Sequence, residues 1–109
     1  MAIEIKHPNS GAVIEIADDD FTNLFNWENA IMVCKELGDG WRLPDTRELE
    51  LMYQKFFKEG TGKFKDDVYW SSSEVDYSKA HAVGFFHGGL VSELLKFTPN
   101  YVRAVRNKI

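Results

Sequence analysis

The stretch Gly40-Trp41-Arg42-Leu43-Pro44 constrains this chain more than any other. Proline has a fixed φ and no backbone donor, so Pro44 suits the approach to a helix and not its interior. Asp45 follows, with Glu48 three residues on. That is the reciprocal pattern in which an aspartate caps the first turn of a helix and a glutamate reaches back. Leu49, Met52, Tyr53 and Phe56 then fall on one apolar stripe, which Gly60 and Gly62 end. Upstream, Gly40 allows a sharp turn, and Trp41 and Leu43 are expected to anchor in the core. Arg42 lies between two apolar residues, so its guanidinium needs a carboxylate or carbonyls. Glu48 and Glu74 are the candidates for a structural ion pair; the alternative is an anion-binding arginine.

A hairpin is predicted at the start. Ala2 to Ile5 and Ala12 to Ile16 are β-rich, with Pro8-Asn9-Ser10-Gly11 as the turn. A helix is predicted from Trp27 to Leu37, where Trp27, Ala30, Ile31, Cys34 and Leu37 share a face. Asn26 is its N-cap and Gly38 its C′ residue. Strands are predicted at Tyr69 to Ser73, Ala80 to Phe86, Leu90 to Phe97 and Tyr101 to Arg106. Gly88-Gly89 and Pro99-Asn100 supply turns between them. Strands at both ends with two helices between give an α+β class, with the termini close together in one sheet.

The 109 residues allow one domain with one core, spanning 1–109. Net charge is −4, a poor match to phosphate-rich or anionic surfaces. No nucleic-acid partner and no membrane insertion are therefore expected, and no stretch approaches spanning length. Cys34 is the sole cysteine, which excludes an internal disulfide and a Cys-rich zinc site. On an apolar helix face it reads as a small buried residue. No signal-peptide pattern opens the chain. A native start makes the protein cytoplasmic; a trimmed one leaves it exported or on the cell surface.

Several strings together resemble a bacterial family. They are Trp27-Glu28-Asn29-Ala30, Gly40-Trp41-Arg42-Leu43-Pro44 with Glu48-Leu49, Tyr69-Trp70-Ser71-Ser72-Ser73-Glu74, and Val102-Arg103-Ala104-Val105-Arg106. The family is the domain of unknown function at the C-terminus of the Legionella collagen-like adhesin, and the chain is also similar to the Fibrobacter major paralogous domain. The resemblance covers roughly Phe21 to Arg106 and marks Trp27, Trp41, Arg42, Pro44, Glu48, Trp70, Arg103 and Arg106 as its structural signature. It implies a C-type-lectin-like fold, two helices flanking a twisted antiparallel sheet with paired ends. The adhesin member implies glycan or host-surface binding, and the family carries no catalytic residues over to this chain. Calcium-dependent lectins of this fold use a Glu-Pro-Asn or Gln-Pro-Asp motif. The nearest string here is Thr98-Pro99-Asn100, which lacks the first carboxylate of a hard-oxygen calcium site.

Individual residues invite sharper readings. Trp41 and Trp70 are either ligand platforms or core, and their apolar neighbours favour core. Ser71-Ser72-Ser73 has no nucleophile elbow and no identifiable base, so backbone hydrogen bonding is the better account. His81 and His87 share strand parity, but an extended strand sets them roughly 20 Å apart, too far for one metal unless the chain turns sharply. Asp18-Asp19-Asp20 lacks the spacing of a calcium loop and reads as a solvated turn. Lys55, Lys58, Lys63 and Lys65 lie among Phe56, Phe57 and Phe64, a helix end and loop that pack their phenylalanines.

These features favour a non-enzymatic binding module, with a protein or glycan as ligand. No cofactor motif, metal-ligand cluster or catalytic constellation appears in the sequence. On such a scaffold binding would fall to the loops 74–79, 87–89 and 96–101, with Tyr77, His87 and Tyr101 as contact residues. The competing reading is a structural domain that forms homo-oligomers, which an apolar patch on Leu90, Leu94 or Phe97 would support. An enzyme is the third and weakest reading.

Overall fold

The computed structural model describes residues 3–108; the side chain of His87 falls outside the description, as does Ala2 of the predicted hairpin. The elements run β1 (Ile3–Lys6), β2 (Val13–Ile16), α1 (Trp27–Glu36), α2 (Thr46–Met52), β3 (Val68–Glu74), β4 (Lys79–Gly84), β5 (Leu90–Leu95) and β6 (Val105–Asn107). They form two antiparallel three-stranded sheets rather than one, ordered β1-β2-β6 and β3-β4-β5. The first joins the two ends of the chain, as the sequence predicts: Ile16 pairs with Val105 and Ile3 with Ile16.

Both helices begin where their caps place them. The Asn26 side chain accepts from the Asn29 N–H, and Asp45 and Glu48 exchange side-chain-to-backbone bonds at the start of α2. Each such cap stabilises its helix by about 1 kcal/mol. Helix α2 widens at Tyr53–Phe57 into a π-type turn. There Phe56 and Phe57 pack on the core with Phe64, as expected of that loop.

At β3 and β4 the sheet is buried on both faces, since successive side chains in a strand point in opposite directions and each set meets its own cluster, while β5 stays largely exposed. Trp70 and its partner Ala82 face one cluster, with Trp27, Ala30, Cys34 and Leu43. Tyr69 and its partner Val83 face the other, with Leu49, Met52 and Ile14. Burying one such large apolar side chain contributes about 1.5–3 kcal/mol.

Two predicted strands end differently. Ala80 to Phe86 breaks at Phe85, where Phe85–His87 form a 3-10 turn that leads into Gly88 and Gly89. Both glycines have positive φ, and a Cβ on Gly89 would come within 2.8 Å of the Tyr53 ring. The predicted strand from Tyr101 to Arg106 is a ladder only from Val105 onward. Before that, its backbone bonds alternate between different neighbours. Tyr101 bonds to β3, while the Val102 and Ala104 carbonyls accept from Phe21 and Ala17. A segment shared between two flanks in this way is extended without belonging to a sheet.

Candidate functional site

The two edges of the β3-β4-β5 sheet are treated differently. On the β3 side the outward groups are bonded. Tyr101 donates its N–H to the Val68 carbonyl (3.0 Å) and accepts from the Trp70 N–H (3.1 Å). The Ser72 N–H donates to the Pro44 carbonyl at 2.8 Å. The proline that launches α2 thus also closes a sheet edge.

On the β5 side no such cover exists among the described residues. Its register with β4 is regular, running from Lys79 opposite Leu95 to Gly84 opposite Leu90. Just beyond, the Lys96 N–H donates to the Ser78 carbonyl. In an antiparallel ladder, bonded pairs alternate with non-bonded ones. Leu90, Ser92 and Leu94 therefore turn their backbone groups toward β4, and Val91, Glu93 and Leu95 turn theirs outward. Thr98 takes the Leu95 carbonyl. Val91 and Glu93 offer both N–H and C=O to solvent.

Apolar side chains gather along this open edge. Leu90 is 63% exposed, Phe97 73% and Tyr77 93%, with Val91 and Leu95 also exposed. Of the patch expected on Leu90, Leu94 and Phe97, Leu94 differs: it is half-buried against the core. The loops 74–79, 87–89 and 96–101 flank β5. Tyr77 lines a shallow cavity of about 270 Å³ with Leu95, Lys96 and Phe97. Tyr101 lies elsewhere. It is half-buried, its ring packs on Tyr69 with centroids 5.7 Å apart, and its backbone closes the β3 edge. Tyr77 and Tyr101 therefore do not share one site.

A second concavity, a groove of about 530 Å³, lies between the end of α1 and the segment that contains Trp41. Trp41 is half-buried rather than core, with Arg106 stacked over its ring at 4.5 Å. Trp70 is fully buried and donates its indole N–H to the Phe25 carbonyl, and Trp27 donates to the Ser71 carbonyl.

Among the described residues no buried side-chain polar atom lacks a hydrogen-bond partner. Arg42 makes a two-pronged pair with Glu48 at 2.9 and 2.8 Å and also donates to Asn107. The hydrogen bond to Glu48 holds its pKa above the usual arginine value, against the opposing effect of burial. Glu74 pairs instead with Lys96. His7, Asp45 and Glu48 bring ligand-type atoms within 4.8 Å of one another. Each of those groups is already engaged. His7 Nδ1 accepts from the Asn9 N–H, so Nε2 carries the proton and donates to Asp45 at 2.8 Å. A metal there would have to displace Arg42 or uncap α2.

Arg103 is fully buried. It donates to Asp20 at 2.7 Å and to the Ala17, Gly62 and Lys63 carbonyls. Asp20 also accepts from the Tyr69 hydroxyl at 2.7 Å. Burial, and then that bond, push the Tyr69 pKa well above the usual tyrosine value. The Asp18-Asp19-Asp20 run is thus only in part a solvated turn, because its last member is the counterion of a core arginine. Ser71 bonds backbone as expected, donating to the His81 carbonyl at 2.7 Å. Cys34 is buried, and burial pushes its thiol up to about 12. The sharp turn at Phe85–His87 removes the extended spacing assumed for His81 and His87, and the His87 side chain lies outside the described residues.

No helix among the described residues is long and apolar enough to cross a membrane. Comparison with protein-family models and with curated proteins finds no match. Among solved structures the chain is similar to botrocetin, with a TM-score of 0.61 and 11% identity over 87% of this chain and 91% of that one. At that identity the likeness speaks for the fold alone. The chain has the C-type-lectin-like fold, an α+β arrangement of two helices with antiparallel sheets.

Proposed function

We propose that this chain is a non-enzymatic binding module of the adhesin-domain type, and that it engages a partner protein by accepting an extended segment along β5. The open β5 edge carries the reading. Natural sheets blunt exposed edges with lysine, proline, bulges or a covering segment. Leu90-Val91-Ser92-Glu93-Leu94-Leu95 has no lysine, proline, bulge or cover and a single charge, Glu93, while the opposite edge of the same sheet is covered. Strand addition draws affinity from backbone bonds and selectivity from alternate side chains. The outward groups of Val91 and Glu93 supply the bonds, and the exposed Leu90, Leu95, Phe97 and Tyr77 supply apolar contacts. Glu93 favours a basic residue opposite it.

The test is selection from a displayed library of eight-residue peptides, followed by amide NMR mapping on the full chain. Enriched peptides should alternate apolar residues and shift the Val91 and Glu93 amides. Enriched peptides that map elsewhere would remove the reading. Light scattering on the same sample separates a partner segment from a second copy. The homo-oligomer reading uses the same edge and requires the mass to double with concentration.

A further inference from the structure

We propose that the groove beside Trp41 is a second, separate site, which binds a small aromatic carboxylate. At about 530 Å³ it falls within the range of small-molecule sites, about 300–1,000 Å³. Ile31, Trp41 and Leu43 form its apolar walls. Its charged lining residues are Lys35 and Arg42, both cationic, in a chain of net charge −4. Among the described residues no carboxylate or side-chain amide lines it.

Every polar side chain there can donate, and only the Ser72 hydroxyl can also accept. Lys35 is exposed and has no ion-pair partner among the described residues. Ser72 commits only its backbone N–H, to Pro44, and its hydroxyl makes no bond among the described residues. Trp41 is the one tryptophan whose indole N–H has no carbonyl partner there. Arg42 spends its terminal nitrogens on Glu48, Asn107 and the Leu43 carbonyl, which leaves Nε–H.

A donor-rich lining selects an acceptor, and an ionised acceptor binds such donors more strongly than a neutral one. Sugar hydroxyls need acceptors as well as donors, which these side chains scarcely offer. The apolar walls and the indole select a flat apolar body. Charge and shape together point to an aromatic monoanion.

The experiment titrates 2-naphthoate into the full isotope-labelled chain. The Trp41 indole N–H and the Gly38 and Gly40 amides serve as reporters. A saturable shift of those signals is expected, with binding of neutral 2-naphthalenemethanol at least about tenfold weaker. Lys35→Gln, a change on an exposed helix face, should weaken naphthoate about tenfold with unchanged melting. Equal binding of the neutral analogue, or no loss in Lys35→Gln, overturns the charge assignment. Saturable binding of methyl β-glucoside in preference to naphthoate, or the absence of any saturable shift, overturns the site.

Discussion

The two edges of the β3-β4-β5 sheet belong to one fold and meet opposite fates. At β3 Tyr101 and Pro44 take up the outward backbone groups. At β5 the outward groups of Val91 and Glu93 face solvent, with exposed leucines, a phenylalanine and a tyrosine around them. Edge closure costs ordered chain and buried ion pairs. It is spent where the sheet is fixed to the rest of the molecule, and withheld at β5, where we propose that a partner segment adds.

The largest expected effect tests the closed edge. The segment that covers β3 is pinned by Arg103, which holds Asp20 and three carbonyls. Arg103→Met strands a buried aspartate and should cost about 3–5 kcal/mol. Urea unfolding measures this, and loss of protection at the Trp70 and Ser72 amides in hydrogen exchange should accompany it. A loss below 1 kcal/mol would mean that the covering segment is held by packing alone.

Next comes the inward side of the open edge strand, β5. Ser92 turns its N–H toward β4, so Ser92→Pro removes a ladder bond, leaves a β4 carbonyl without its donor and should cost about 2 kcal/mol. The same measurement on this variant tests the register that assigns the outward groups.

Alkaline pH acts on the buried side with a smaller slope. Tyr69 on β3 and Cys34 beneath the sheet both have raised pKa values, Cys34 from 9.0 to about 12. The folded chain therefore keeps protons that the unfolded chain releases. Their contribution is complete below about pH 9 and is lost as pH rises toward 12, by at most about 1.4 kcal/mol per unit for each group. Urea midpoints at pH 8, 9.5 and 11 should fall in that order. In Cys34→Ala the early part of the fall should flatten. Tyr69 and Cys34 both lie in the buried clusters away from β5, so this titration reports on the covered side.

The Arg42–Glu48 pair was legible in the sequence because its members are six residues apart and bracket a helix start that fixes their geometry. The Arg103–Asp20 pair was not, because 83 residues separate them. Nothing in a run of three aspartates tells which one turns inward. Trp41 misled through its apolar neighbours, since burial depends on where the turn after α1 comes to rest. Tyr101 to Arg106 alternates like a strand, yet its bonds go to different partners. The openness of β5 was invisible for a related reason. Leu90-Val91-Ser92-Glu93-Leu94-Leu95 carries the same β-forming residues as a covered strand, and only the order of strands in the sheet leaves it at the rim.

The smallest effect on stability bears most directly on binding. Val91 turns its N–H outward, so Val91→Pro removes no ladder bond, and proline is tolerated on an edge strand with its nitrogen toward solvent. Its stability should fall by no more than about 1 kcal/mol. The same change removes one donor of the open edge and places a ring where an incoming strand must lie. Any peptide that adds to β5 should therefore bind Val91→Pro at least about tenfold more weakly, while the fold remains intact. The contrast with Ser92→Pro is the sharp form of the comparison. Adjacent prolines on one strand should separate folding from recognition, because one faces the molecule and the other faces its partner. If Val91→Pro binds like the wild type, the open edge is only a rim of the sheet, and recognition lies in the side chains of Tyr77 and Phe97 alone.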